Sequence, residues 1–118
     1  MKPNQRAVGT AYEKIAGRYL EQQGYVILEY NFRCHSGEID IIARDGNCVV
    51  FCEVKYRADE KAGHPLEAVN EKKQKRLSKC GLYYVTMHGH ENIPCRFDVI
   101  GILKEEITHI KNAFDYVI

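Results

Sequence analysis

The chain has 118 residues, 45% hydrophobic and 28% charged, and its 17 Lys and Arg against 16 Asp and Glu leave a net charge of +1. That length suits one domain, 1–118, with a sizeable core, and the near-neutral charge excludes a protein that coats nucleic acid by bulk electrostatics alone. No apolar run approaches the roughly 18–20 residues that span a bilayer, and the start M-K-P-N-Q-R leads into a polar, amphipathic stretch rather than a signal peptide.

No membrane partner is therefore expected, and the expected location is the cytoplasm. The cysteines agree with it. Cys34, Cys48, Cys52, Cys80 and Cys95 form an odd set without C-x-x-C spacing, which fits neither a complete disulfide framework nor a paired zinc motif. They read as reduced thiols acting as small hydrophobes.

From about Asn4 to Gln23, Val8, Ala11, Tyr12, Ile15, Ala16, Tyr19 and Leu20 recur at helical spacing, and Gly24 sits where a helix end favours a left-handed residue. Tyr25 to Arg33 is β-branched and aromatic, hence a strand. The runs G-E-I-D-I-I-A-R and N-C-V-V-F-C-E-V-K-Y follow, separated by Asp45-Gly46, the signal for a hairpin with a two-residue type I′ turn. Arg57 to Gly63 reads as a polar loop, and Pro65 opens a helix to about Met87. R-F-D-V-I-G-I-L makes a fourth strand and Glu106 to Ile110 a fifth, with the tail A-F-D-Y-V-I as an edge strand or a core-packing segment. The order predicts an α/β fold: a mixed sheet flanked by helices, with an αβββαβ core.

The hairpin carries the chemistry. With Asp45 and Gly46 as loop residues, Arg44 pairs with Asn47, and one face holds Ile39, Ile41 and Ala43 against Cys48, Val50 and Cys52, with Val54 beyond. The other face holds Glu38, Asp40 and Ile42 against Val49, Phe51 and Glu53, with Lys55 beyond. Glu38 then lies opposite Glu53, and Asp40 lies diagonal to it, roughly 7–8 Å away. Clustered like charges on a partly apolar face need a cation. Lys55 supplies part of the charge, and a divalent ion on Asp40 and Glu53 would supply the rest. A solvated face with idle charges fits less well, because the carboxylates gather at one end beside Ile42, Val49 and Phe51.

The helices add candidates. Leu66, Val69, Leu77, Cys80 and Tyr84 mark the inner stripe of the second helix, and Lys73 falls on it. Such a lysine either snorkels or points at a phosphate or the carboxylates. Lys72, Lys75, Arg76 and Lys79 flank it. On the first helix Glu13 lies at the edge of the apolar face, with Gly9 one turn earlier. From Val54 to Lys79 there are eight Lys and Arg against four Asp and Glu, a basic excess beside the E-V-K strand where a polyanion would approach. His88-Gly89-His90 lacks a third nearby ligand and reads as a surface loop. Cys34-His35 has no companion cysteine in its own stretch of sequence, and Asp98 reads as a structural partner for Arg96 or another cation.

Asp40 followed about a dozen residues later by Glu53-Val54-Lys55 resembles the PD-(D/E)XK nuclease signature. A wider likeness runs over nearly the whole chain. It comprises E-x-x-A-x-x-Y-L (Glu13, Ala16, Tyr19, Leu20), G-Y-x-I-L, N-x-R (Asn31, Arg33), G-E-I-D-I-I-A, F-C-E-V-K-Y-R, K-Q-x-R-L and R-F-D-V-I. In this order the segments resemble the bacterial YraN-like family of predicted endonucleases. Two positions depart from its pattern: Tyr12 replaces a usual Gly, and Cys52 stands in for the apolar residue before E-V-K, a conservative change.

The resemblance implies a restriction-endonuclease-like fold, related to that of Holliday-junction resolvases, and a metal-dependent endonuclease with DNA as the favoured substrate and RNA as the alternative. Branched or damaged DNA in recombination or repair is the substrate it suggests. Asp40 and Glu53 would bind Mg²⁺ or Mn²⁺ with the Val54 carbonyl, Glu13 would complete the acidic shell, and Lys55 would position or deprotonate the attacking water. Arg57, Lys72, Lys73, Gln74 and Arg76 would meet substrate phosphates. Small nucleases that cut both strands often dimerise, so a homodimer is a further expectation, although no residue marks an interface. The competing reading is a nuclease-fold module for nucleic-acid binding or partner docking with little catalysis.

Overall fold

The computed structural model describes residues 5–57, 59, 61, 63–90 and 92–117, with side chains from Thr10 onward. The element order is α1 (Gln5–Gln22), β1 (Val26–Cys34), β2 (Gly37–Asp45), β3 (Cys48–Arg57), a 3₁₀ turn (Pro65–Ala68), α2 (Glu71–Met87), β4 (Cys95–Leu103) and β5 (Glu106–Phe114). Val8 and Gly9, used in the helix assignment, lie outside the described side chains. Gly24 does end α1: its φ is 93°, and Tyr25 N–H bonds back to Leu20 C=O at 3.0 Å, the six-to-one closure of a Schellman cap.

The five strands lie in sequence order in one mixed sheet, antiparallel throughout except for the parallel pair β3–β4. Parallel neighbours need a crossover, and the 3₁₀ turn with α2 provides it. Alternating strand positions feed two cores. On one face Ala16 and Leu20 of α1 pack on Ile41, Ala43, Val50, Cys52, Ile100 and Ile102. On the other, Leu77, Cys80, Tyr84 and Val85 of α2 pack on Ile42, Val49, Phe51, Phe97 and Val99. This two-sided sheet in an αβββαβ frame is the arrangement expected of a restriction-endonuclease-like fold. No described helix is long and apolar enough to cross a membrane.

Four expectations require correction. The hairpin loop is Gly46-Asn47, because Asp45 pairs with Cys48 and Ile41 with Cys52. Gly46 has φ 60° while Asn47 stays out of positive φ, the pattern of a II′ rather than a I′ turn. This moves the register by two residues, so each side chain of the paired segments keeps its face, but Glu38 is no longer opposite Glu53. Second, Ile39 belongs to the α2 core with Phe32, not to the face of Ile41. Phe32 and Ile39 are a cross-strand pair, as are Tyr30 and Ile41. Between the pairs Asn31 adopts φ 53°, a conformation Asn tolerates, and both strands exchange faces there.

The helix from Pro65 is also broken. Asn70 caps a new helix, its side chain accepting from Lys73 N–H at 2.9 Å, so the segment that carries Pro65 stays a separate turn and Leu66 is exposed at 36%. Finally, the thiols are not uniformly buried. Cys52 and Cys80 are, Cys34 and Cys48 are half-buried, and Cys95 is exposed.

Candidate metal centre

The β2–β3 ladder closes at Ile41↔Cys52, one residue short of Asp40 and Glu53. Beyond that point the Asp40 side chain replaces the ladder, its Oδ2 accepting from Val54 N–H at 2.8 Å. Because β2 exchanges faces beside it, Asp40 reaches both layers. Oxygens of Glu13, from α1, and of Glu38 and Asp40, from β2, lie within 4.8 Å of one another. From the α2 side Glu53 hydrogen-bonds Asp40, and its Oε1 lies 2.5 Å from Lys73 Nζ. Asp40, Glu53, Glu38, Lys73 and Arg76 line one cleft of about 290 Å³.

The carboxylates are too close to ionise freely together. Burial, then the Asp40 charge, pushes Glu13 up to about 7, with Asn31 opposing as a hydrogen-bond partner. Burial and Asp40 do the same to Glu53, up to about 7, against the pull of Lys73. Asp40 is itself raised by burial, although Val54 N–H and Lys73 favour its charged form. Glu13 Oε2 is buried without a hydrogen-bond partner among the described residues. Near neutral pH such a pocket retains protons unless a cation takes their place. An oxygen-only donor set suits Mg²⁺ or Mn²⁺, so the residues present fit the ion that the sequence reading expected.

The other expected residues divide. Lys73 points at the carboxylates, the second of its two sequence readings. Arg76 is exposed on the cleft wall, and Lys72 is exposed on α2. Lys55 follows Glu53 at the spacing that keeps it on the α2 face of β3, half-buried. Gln74 instead donates from Nε2 to Val69 C=O at 3.0 Å, tying α2 to the preceding turn. Arg57 lines a separate cavity with Asp59, Pro65 and Gly101. Glu13, which in isolation resembles a solvated flank residue, is drawn in by the Asp40 bend.

The profile described as "Uncharacterised protein family UPF0102" matches residues 12–102, a span that holds the whole acidic cluster. The chain belongs to the UPF0102 family. It is 49% identical over 113 residues to a UPF0102 protein of Lachnoclostridium phytofermentans, covering 95% of this chain and 96% of that one. Against a UPF0102 protein of Thermodesulfovibrio yellowstonii it is 52% identical over 107 residues, covering 91% and 95%. A third, from Syntrophus aciditrophicus, is 49% identical over 111 residues, covering 91% and 87%.

Within this UPF0102 chain, sequence reasoning left Glu38 and Asn31 out of the proposed site. Glu38 belonged to the clustered carboxylates, and Asn31 to the N-x-R segment, so both had a signal. Asp98 does serve as structural support. Arg96 Nε and Nη2 bond it at 3.0 and 3.2 Å, His109 Nε2 at 2.7 Å and Asn112 N–H at 3.0 Å. Arg96 Nη1 also reaches Asp45 at 2.9 Å, anchoring β4 to the hairpin end. The reading of Cys34 changes too, because Cys80 brings its Sγ to 2.9 Å from Cys34 Sγ.

Proposed function

We propose that this UPF0102 protein is a metal-dependent endonuclease that hydrolyses DNA phosphodiester bonds. One observation carries the reading: Asp40, Glu53 and Glu13 converge from three elements where the β2–β3 ladder opens; burial raises all three carboxyl groups above their ordinary values, and the Asp40 charge adds to it at Glu13 and Glu53, which reach about 7. Asp40 and Glu53 would hold Mg²⁺ or Mn²⁺ with the Val54 carbonyl, and Glu13 would close the shell. The bound ion supplies charge neutralisation and an acidified water. Val54 N–H fixes Asp40, and Lys73 holds Glu53 in place. Lys55 positions the attacking water and offsets negative charge developing on the phosphoryl oxygens. Arg76 and Lys72 draw the phosphate backbone towards the cleft.

The test is cleavage of linear, nicked, flapped and four-way DNA, with an RNA arm, in Mn²⁺ and in chelator. Asp40→Asn and Lys55→Ala should each lower cleavage at least ~100-fold while the protein remains folded. Undiminished cleavage by both folded variants would overturn the assignment. DNA binding without cleavage, unchanged by chelator, would favour the docking-module reading.

A further inference from the structure

Cys34 ends β1 and pairs across the His35-Ser36 turn with Gly37, the first residue of β2. Cys80 lies on α2, one turn after Arg76 and Leu77. The sulfurs are 2.9 Å apart, and Cys80 Sγ also lies 3.6 Å from Gly37 C=O. A formed disulfide needs about 2.05 Å between its sulfurs, so a small approach closes the gap. The two thiols differ in environment. Cys34 is half-buried, within reach of a small reagent, whereas Cys80 is enclosed.

We propose that Cys34 and Cys80 form a reversible disulfide, with Cys34 as the attacking thiol and Cys80 as the resolving one. Cys34 thiolate attacks a low-molecular-weight disulfide, breaking its S–S bond, forming a mixed disulfide and releasing one small thiolate, which takes a proton. Cys80, losing its proton to solvent, then attacks Cys34 Sγ and expels the second small thiol. The two protein thiols are oxidised, and the small disulfide is reduced to two thiols. Burial raises the Cys34 thiol, but the Cys80 S–H and backbone N–H groups of Ser36 and Gly37 outweigh it and bring the thiol below its usual value. Burial and Cys34 push Cys80 up to about 12. That asymmetry favours Cys34 as the nucleophile.

The bond has a structural consequence. Gly37 and Glu38 on one side, and Arg76 and Leu77 on the other, line the acidic cleft. A disulfide between Cys34 and Cys80 ties these two walls together. Bond formation itself is read by mass, so the inference stands or falls separately from the nuclease reading.

The reduced full-length protein is incubated with oxidised glutathione and analysed by intact mass and non-reducing peptide mapping. The expected result is loss of two hydrogen atoms, a cross-linked peptide containing Cys34 and Cys80, and full reversal by dithiothreitol. Cys80→Ala should stop at a glutathione adduct on Cys34, and Cys34→Ser should give no cross-link. An adduct that persists on Cys34 in the unsubstituted protein would overturn the proposal. So would a cross-link to another cysteine, or no change in mass.

Discussion

Asp40 has two roles that substitution can separate. Its carboxylate belongs to the acidic cluster, and Oδ2 occupies the Val54 N–H. Asp40→Asn keeps a carbonyl oxygen for that amide and loses the charge. Asp40→Ala orphans a half-buried donor, a loss of about 1–3 kcal/mol. Titration with Mn²⁺ should therefore raise the Tm of the unsubstituted protein by at least ~4 °C near saturation and leave Asp40→Asn unmoved, whereas Asp40→Ala should start from a lower Tm. A shift of equal size in Asp40→Asn would remove Asp40 from the ligand set. Asp98 is a different case. It is 1% exposed and bonded to Arg96 and His109, so Asp98→Ala strands buried donors, and chemical denaturation should show a loss of about 3–5 kcal/mol. Its neighbours Phe97 and Val99 made Asp98 legible as structural support. Nothing near Cys34 in the sequence pointed to Cys80, because their contact exists only once α2 crosses the sheet.

The elements were more legible than their junctions. Apolar, β-branched and aromatic runs placed β1 to β4, and helical spacing placed α1, because a sheet covered on both faces and a helix covered on one select those residues directly. Turn geometry was harder to read. Asp45-Gly46 signalled a hairpin, but Asp45 joined the ladder, where Arg96 bonds its side chain from β4. That contact is long-range and leaves no mark in the local sequence. Asn70 is similar: it sits in a helical pattern, and its role as a cap follows from the 3₁₀ turn. Asn70→Ala should cost about 1 kcal/mol, measured by urea denaturation. Gly101→Ala should cost more, because a Cβ there would overlap the Pro65 ring. The turn would then have to lift from β4, and Pro65→Ala should recover part of the loss.

At the scale of the molecule, the acidic cluster sets the pH profile. Glu53 has a folded value of about 7 against an ordinary 4.5. The folded state therefore retains a proton that the unfolded chain releases, and metal-free stability falls as pH rises from about 4.5 to 7. For Glu53 the change is of order 3 kcal/mol, and Glu13 acts in the same direction. Denaturation in chelator across this range should show the decline, and saturating Mn²⁺ should reduce it, since the ion takes the place of the protons. A flat metal-free profile would contradict the cluster as described. On the acid side the sign reverses. Asp98 lies below its ordinary 3.8, burial being outweighed by His109 and Arg96, so its contribution is full above that value and is lost as pH falls through the folded one.

The sequential strand order also bears on how the chain reaches this state. β1, β2 and β3 form an uninterrupted antiparallel meander, whereas β3–β4 pairing waits for α2 to cross. Local pairings close sooner than distant ones. Asp40 and Glu53 lie within the meander, while Lys73, the cation beside Glu53, arrives with the crossover. Repulsion between the carboxylates therefore precedes its neutralisation. Refolding in chelator should be slower at about pH 8 than at about pH 5.5, and Glu53→Gln should remove most of that difference.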